Sequence, residues 1–292
     1  MVETSSIRFL KWSPLYEKER PFQILTNLLP DAQDRRQNNL AWTEQDVLVE
    51  DFRDRAQDFQ LDTHGFTMRR LPGFIDLPDK DTIQEKYIPA IKEMLQTRIS
   101  DVGTVFVYDW RIRSSRIETS ADEINISEQT QPYLPANYAH TDLCPVSILQ
   151  RIQQSFPKDA AKILRQRIRA VNVWKPLSYP VDEWALAVCD GTTVNPNDLV
   201  ETDSVRSGST RSNYYVMYDK GQKWYYLKEQ SPDEALIFKH FDSDPGVRAP
   251  YAVHSSIKHR QPPKNAKPRK SIEVRALIFS ETFPEIEDFF WK

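Results

Sequence analysis

The chain has 292 residues, of which 39% are hydrophobic and 28% charged, and its net charge is −3. That length and balance suit a globular protein with a full core. They argue against nucleic acid as a partner, because phosphate binding needs a clustered basic surface. With 20 prolines, 7 glycines, no GxGxxG and no Walker loop, dinucleotide and P-loop chemistry are disfavoured.

The N-terminus lacks an apolar stretch of signal-peptide length, and no run approaches the roughly 20 apolar residues of a membrane span. Cys144 and Cys189 form neither a disulfide framework nor a zinc pattern and read as reduced thiols. A cytoplasmic protein with no membrane span is expected.

In chain order, Ser5–Lys11, Asp46–Glu50 and Gly65–Leu71 read as short outer strands. Lys80–Leu95 places Ile83, Tyr87, Ile88, Ile91 and Met94 at helical spacing, and Pro89 should kink this helix or start a second one. Gly103–Ile112 is a strand rich in β-branched and aromatic residues. A polar loop, Arg113–Pro132, leads into Asn137–Cys144. Residues 145–169 read as helical with a break near Pro157, and Lys158–Arg169 should carry Ile163, Leu164 and Ile168 on one face and solvated basic residues on the other.

Beyond residue 170 nearly everything reads as strand: Ala170–Lys175, Trp184–Cys189, Leu199–Val205, Asn213–Tyr218, Lys223–Lys228, Glu234–Phe241, Tyr251–Ser255 and Ser271–Phe279. Gly221 is expected to turn a hairpin between Asn213–Tyr218 and Lys223–Lys228. Short strands at this spacing suggest a sandwich, a jelly roll or a barrel, mainly β with flanking helices. The chain reads as a single domain over 1–292: about 1–100 flanking strands and helix, about 101–280 the core, and 281–292 a C-terminal segment.

The chemistry centres on His140-Thr141-Asp142. On an extended segment residues i and i+2 share a face, so His140 and Asp142 can offer a nitrogen and an oxygen to one metal. A second His from a distant strand would complete a facial triad, which leaves positions open for co-substrate and oxygen. His254 is the preferred third ligand and His240, in Glu234–Phe241, its competitor; His64 and His259 read as surface residues. Arg269 and Ser271 share a strand face beyond His254 and could grip a carboxylate through a guanidinium fork and a hydroxyl. Arg275 lies further along the same face and could take that role.

Together with NVWKPL (172–177), ALAVCD (185–190), KWYYL (223–227), DEALIFKHFDS (233–243), HSSI (254–257) and RKSIEVRALIF (269–279), this pattern resembles the fungal hydroxylase/desaturase family of non-haem iron oxygenases. That family includes gibberellin-desaturase-like proteins and meroterpenoid endoperoxide-forming members, and the likeness covers roughly 100–280. It implies a double-stranded β-helix (jelly-roll) core, iron(II), 2-oxoglutarate and O2, with His140, Asp142 and His254 at the iron. It also implies oxidation of a natural product in fungal secondary metabolism, by hydroxylation, desaturation, endoperoxide or ring formation. In the basic stretch Lys258–Pro268 the chain departs from relatives.

Trp174, Tyr226 and Phe238 are candidates for lining an apolar pocket, which would suit a terpenoid or polyketide–terpenoid substrate. Phe289, Phe290 and Trp291 suggest a homodimer contact. The rival readings are an iron oxygenase independent of 2-oxoglutarate, a zinc hydrolase of cupin type, and a non-catalytic jelly-roll binding module.

Overall fold

The computed structural model describes residues 1–28, 31–77, 79–117, 129–206 and 209–283. Its strands are β1 (Val2–Leu10), β2 (Phe22–Ile24), β3 (Trp42–Asp51), β4 (Phe66–Arg70), β5 (Thr104–Ser114), β6 (His140–Thr141), β7 (Ile168–Pro176), β8 (Trp184–Cys189), β9 (Leu199–Arg206), β10 (Ser209–Val216), β11 (Trp224–Tyr226), β12 (Glu234–Asp242), β13 (His254–Lys258) and β14 (Lys270–Phe279). They form a nine-stranded sheet in the order β1-β3-β11-β8-β13-β6-β10-β9-β2 and a five-stranded sheet in the order β4-β12-β7-β14-β5. The two sheets face each other as a jelly roll.

Alternation along the strands decides what fills the space between the sheets. On β7, Trp174 joins Val188, Trp224 and Tyr226 of the large sheet and Leu236 and Phe238 of β12 in one buried cluster. The opposite face of β7 and its neighbours, with Val171, Val173, Ile237 and Val274, is covered by the helical segment that ends in Ile88–Arg98. That helix has 11 residues, too few to stand alone in water. It holds because Ile88, Ile91 and Leu95 are buried, each worth about 2 kcal/mol. A third cluster packs Ile148 and Ile152 of helix Pro145–Ser155 on Phe106, Leu277 and Phe279.

Several sequence expectations hold closely. Trp184–Cys189 is a strand with those bounds, and Lys80–Leu95 is helical with Pro89 in the first turn of Ile88–Arg98, after a single π turn at Ile83–Tyr87. Two expectations are corrected. Helix after Pro157 is confined to Ala160–Ile163, and Ile168 and Arg169 already belong to β7. Arg167 and Arg169 are therefore not a solvated face: Arg167 pairs with Asp62 and Asp242, and Arg169 donates to the Asp101 carbonyl. Gly221 does not close a hairpin either. β10 pairs with β9 and β6, whereas β11 pairs with β3 and β8, so the chain crosses the sheet between them. Residues 284–292, with Phe289, Phe290 and Trp291, lie outside the described residues.

Candidate metal centre

β6 is only two residues long, yet it sits between β13 and β10 in the large sheet, and His140 is paired directly with His254. That register brings the two imidazoles to a ring separation of 4.1 Å. Asp142 follows one residue beyond the strand. Its Oδ1 lies 3.3 Å from His140 Nε2 and 3.7 Å from His254 Nε2. Among the described residues these three form the group of imidazole and carboxylate atoms able to hold a metal, all within 4.8 Å of one another. All three side chains are nearly covered, with exposures of 7%, 10% and 4% for His140, Asp142 and His254.

The surroundings fix the donor atoms. His140 Nδ1 donates to the Tyr138 carbonyl at 2.8 Å, so Nε2 keeps its lone pair for a metal. Asp142 Oδ2 accepts from Asn172 Nδ2 at 2.8 Å and lies 3.1 Å from an Arg275 Nη, which leaves Oδ1 toward the histidines. Burial alone would raise the Asp142 carboxyl, but Arg275 first, then His140, hold it well below the usual carboxylate range. Burial, aided by neighbouring His140, pushes His254 well below the usual imidazole value, so it is neutral and ligand-competent. An ordered pair of neutral imidazoles and one carboxylate is a donor set that fits iron(II).

His240 stands apart from this set. The Asp142 backbone N–H donates to His240 Nδ1 at 3.1 Å, which puts the imidazole proton on Nε2, and Nε2 is 3.9 Å from Asp142 Oδ2. His240 braces the carboxylate from behind, and burial drops its pKa to about 4. His64 contacts Thr63 and Phe59, and His259 pairs with Glu3 at 2.7 Å, both away from the triad.

On one side of the triad a crevice is lined by His140, His254, Trp174, Ser256, Glu273 and Arg269, among others. Arg269 is 1% exposed, and its Nη1 donates to Ser256 Oγ at 3.0 Å and to the Trp184 carbonyl at 3.2 Å. Its Nε and Nη2, and the fully buried Ser271 Oγ, have no hydrogen-bond partner among the described residues. Unpaired buried donors of this kind cost about 1–3 kcal/mol each, which an incoming carboxylate would recover. Burial, then the nearby Arg113, draws the guanidinium down to about 9, which still leaves it charged at neutral pH. The crevice holds about 10 Å³, room for one water molecule, so a five-carbon diacid enters only as the surrounding side chains give way. Arg275 is engaged elsewhere: it pairs with Asp109, Asp142 and Glu273.

A family model described as an oxidoreductase/YMDC permease-like domain matches residues 7–279. The Fe(II)/2-oxoglutarate-dependent dioxygenase nvfI of Aspergillus novofumigatus is 33% identical over 251 residues, 83% of this chain and 86% of that protein. The hydroxylase/desaturase poxK of Penicillium oxalicum is 28% identical over 270 residues, 80% of this chain and 79% of its own. Among solved structures, the iron and alpha-ketoglutarate-dependent endoperoxidase NvfI superposes with a TM-score of 0.81 at 29% identity, covering 95% of this chain and 98% of that one. The chain belongs to this oxygenase family. It is a non-haem iron oxidoreductase that works with iron(II), 2-oxoglutarate and O2 on a small molecule.

On the other side of the oxygenase's triad a cavity of about 460 Å³ reaches His140 and Asp142. Its walls are Tyr108, Tyr133, Tyr138, Tyr215 and leucines, with Arg111, Arg113, Arg206, Arg211 and Arg275. The expected pocket residues are not among them. Trp174 stacks near Arg269 at 5.5 Å in the crevice, Phe238 packs on His254 at 4.6 Å, and Tyr226 is core beside His259. Sequence reading missed Asn172, Ser256 and the arginines of β9 and β10. The signal for the two arginines was period-2 alternation of Ser204 and Arg206, then of Arg211, Asn213 and Tyr215; Arg206 and Arg211 fell in the polar gap between the expected strands Leu199–Val205 and Asn213–Tyr218.

A glycine pair positions His254. A Cβ on Gly65 or on Gly191 would collide with the Tyr251 carbonyl, and Gly65 also has φ +88°. Both glycines let the chain before His254 pass close, so β13 starts in register with β6.

No helix among the described residues is long and apolar enough to cross a membrane.

Proposed function

We propose that this oxygenase oxidises a C–H bond of a mostly hydrocarbon natural product in fungal secondary metabolism, with His140, Asp142 and His254 as the iron ligands. Arg269 and Ser271 grip the far carboxylate of 2-oxoglutarate. The observation that carries the second half is the set of unpartnered buried donors, Arg269 Nε and Nη2 and Ser271 Oγ, beside the triad.

Bound iron(II) with 2-oxoglutarate and O2 supplies an oxidant strong enough to take hydrogen from an unactivated carbon. The chain's own residues do the rest. Arg275 and Asn172 occupy Asp142 Oδ2 and aim Oδ1 at the metal. His140 is oriented by the Tyr138 carbonyl. The tyrosines and leucines of the cavity exclude water and set which carbon faces the centre, and so whether hydroxylation, desaturation, ring closure or endoperoxide formation follows. Terpenoid and polyketide–terpenoid skeletons are of a size that such a cavity takes. The chain acts as one cytoplasmic catalytic domain.

The test is anaerobic iron(II) titration with 2-oxoglutarate, following the visible charge-transfer band. The wild type is expected to develop the band, and Arg269→Ala to need about 100-fold more 2-oxoglutarate, the loss of a charged, buried grip. Iron binding without a band would move the reading to an oxygenase independent of 2-oxoglutarate. No iron binding would overturn it.

A further inference from the structure

Arg113 stands where the two chambers meet. It lines the large cavity that reaches Asp142 and also the crevice beside Arg269, and His140 is the other described residue that the two share. β5 and β14 run antiparallel, with Arg113 directly opposite Ser271. Side chains so paired leave one face of the sheet with Cβ atoms about 4.5–5.5 Å apart, so the guanidinium starts beside the unpartnered Ser271 hydroxyl. The open Arg269 Nε and Nη2 belong to the same crevice. Glu273, the carboxylate that lines it, is taken by Arg275 at 2.8 Å. Arg113 makes no ion pair with a described residue, and its Nη1 donates to the Leu134 carbonyl at 3.1 Å. That bond reaches the substrate side. Tyr133, Leu134 and Tyr138 are cavity wall, and the Tyr133 carbonyl accepts from the Ser114 N–H of β5 at 2.9 Å. The charge of Arg113 is felt on both sides. Burial first, then Arg113, lowers the Arg269 guanidinium, while Arg113 is the largest influence opposing the burial that raises the Tyr138 hydroxyl.

Resting on the function proposed above, we infer that Arg113 is a positioning residue shared by co-substrate and substrate. Its guanidinium joins Arg269 and Ser271 in holding the far carboxylate of 2-oxoglutarate and, through the Leu134 carbonyl, fastens the substrate wall to that hold. A guanidinium carries five N–H donors in a fixed fork, so one edge keeps Leu134 while another meets the anion. Arg113 and Arg269 facing one crevice repel each other, and a carboxylate between them relieves that repulsion. With the crevice empty, the Arg113 side chain is tethered at one point; with the co-substrate in place it is fixed at two. Residues 133–138 therefore lose freedom when 2-oxoglutarate arrives. By linkage, a substrate that rests on the ordered wall tightens 2-oxoglutarate by the same factor by which 2-oxoglutarate tightens the substrate.

The experiment titrates iron(II)-loaded enzyme anaerobically with 2-oxoglutarate, follows the charge-transfer band, and records amide hydrogen exchange over residues 133–139 with and without 2-oxoglutarate. In the wild type, 2-oxoglutarate should slow that exchange severalfold. Arg113→Gln, checked for folding by circular dichroism, is expected to raise the 2-oxoglutarate Kd about tenfold, as loss of one hydrogen bond to a charged group does, and Arg113→Lys should recover most of it. The slowing by 2-oxoglutarate should vanish in Arg113→Gln. A wall that Arg113 merely props up would exchange faster in that variant with and without 2-oxoglutarate alike, and the slowing would survive; that outcome overturns the inference. So would a 2-oxoglutarate Kd unchanged by the substitution. A wild-type segment that exchanges at one rate with and without 2-oxoglutarate, while the band forms, overturns it without any variant. Absence of the band in the wild type would overturn the reading of the site itself, and this inference with it.

Discussion

Arg275 is the residue on which the metal centre's electrostatics turn. It touches the ligand carboxylate and two further buried acids, Asp109 and Glu273, which are 4% and 3% exposed. Arg275→Met would strand those acids and let the Asp142 carboxyl rise. Iron(II) affinity is expected to fall roughly 10–100-fold, and stability by about 3–5 kcal/mol. Because a raised Asp142 pKa lets protons compete with the metal, the affinity loss should be larger at pH 6 than at pH 8. Iron titration at the two values checks it, and an equal loss at both would reject the electrostatic account. His254→Ala should abolish iron binding, whereas His240→Asn should weaken it only severalfold, because His240 touches Asp142 and lies outside the His140–Asp142–His254 group. Equal losses from the two substitutions would give His240 the ligand's place. Two of the three triad residues were legible in the sequence because H-x-D on an extended segment brings His140 and Asp142 to one face; His254 was preferred to His240, and the structure groups it with them. The role of Arg275 was not, since sharing a strand face with Arg269 and Ser271 does not reveal which carboxylates the other strands bring up.

Among the elements, β7 is the strand on which the two layers meet, and all nine of its residues are buried. Two of them are charged, Arg169 and Lys175. Lys175 is fully buried on the helix-covered face, with Nζ donating to the Phe74 carbonyl at 2.7 Å and lying 5.5 Å from the Tyr87 ring. Burial lowers its pKa to about 8. The folded state therefore sheds the proton before the unfolded one, whose lysine titrates near 10.4, and this group's contribution to stability rises between about pH 8 and 10.4. Lys175→Met is expected to raise the melting temperature at pH 7 by several degrees and to flatten that rise. Thermal unfolding at pH 7 and 9.5 tests both, and a lower melting temperature at pH 7 would mean that the hydrogen bond outweighs the desolvation. Continuous apolar runs made β7 and β8 readable from the sequence. β6 and β2 were not, because two or three residues show no period, and the β10–β11 hairpin was misread because turn chemistry at Gly221 says nothing about which strand lies next in the sheet.

For the whole molecule, the proposed metal centre is expected to act on stability as well as on reaction. Two buried neutral histidines, His240 and His254, have pKa values below that of the unfolded chain, so the metal-free protein binds fewer protons folded than unfolded. The contribution of these two histidines to stability is complete above about pH 6.5 and is lost as the pH falls toward the folded values. A redox-silent divalent metal at about 1,000 times its Kd should add roughly 4 kcal/mol and raise the melting temperature, with a smaller gain at pH 5 because protons compete for the ligands. Differential scanning calorimetry with and without zinc(II) measures this, and a metal-induced shift that does not change with pH would contradict it.

The close passage of Gly65 and Gly191 against the Tyr251 carbonyl has a consequence for tolerance to substitution. In a saturation screen for activity these two positions should accept almost nothing, although neither belongs to the His140–Asp142–His254 group. The walls of the arginine cavity should by contrast tolerate change at the cost of altered substrate range. A map of forbidden positions would thus outline the backbone path that delivers His254, and a map of permissive ones would outline the molecule that the oxygenase recognises.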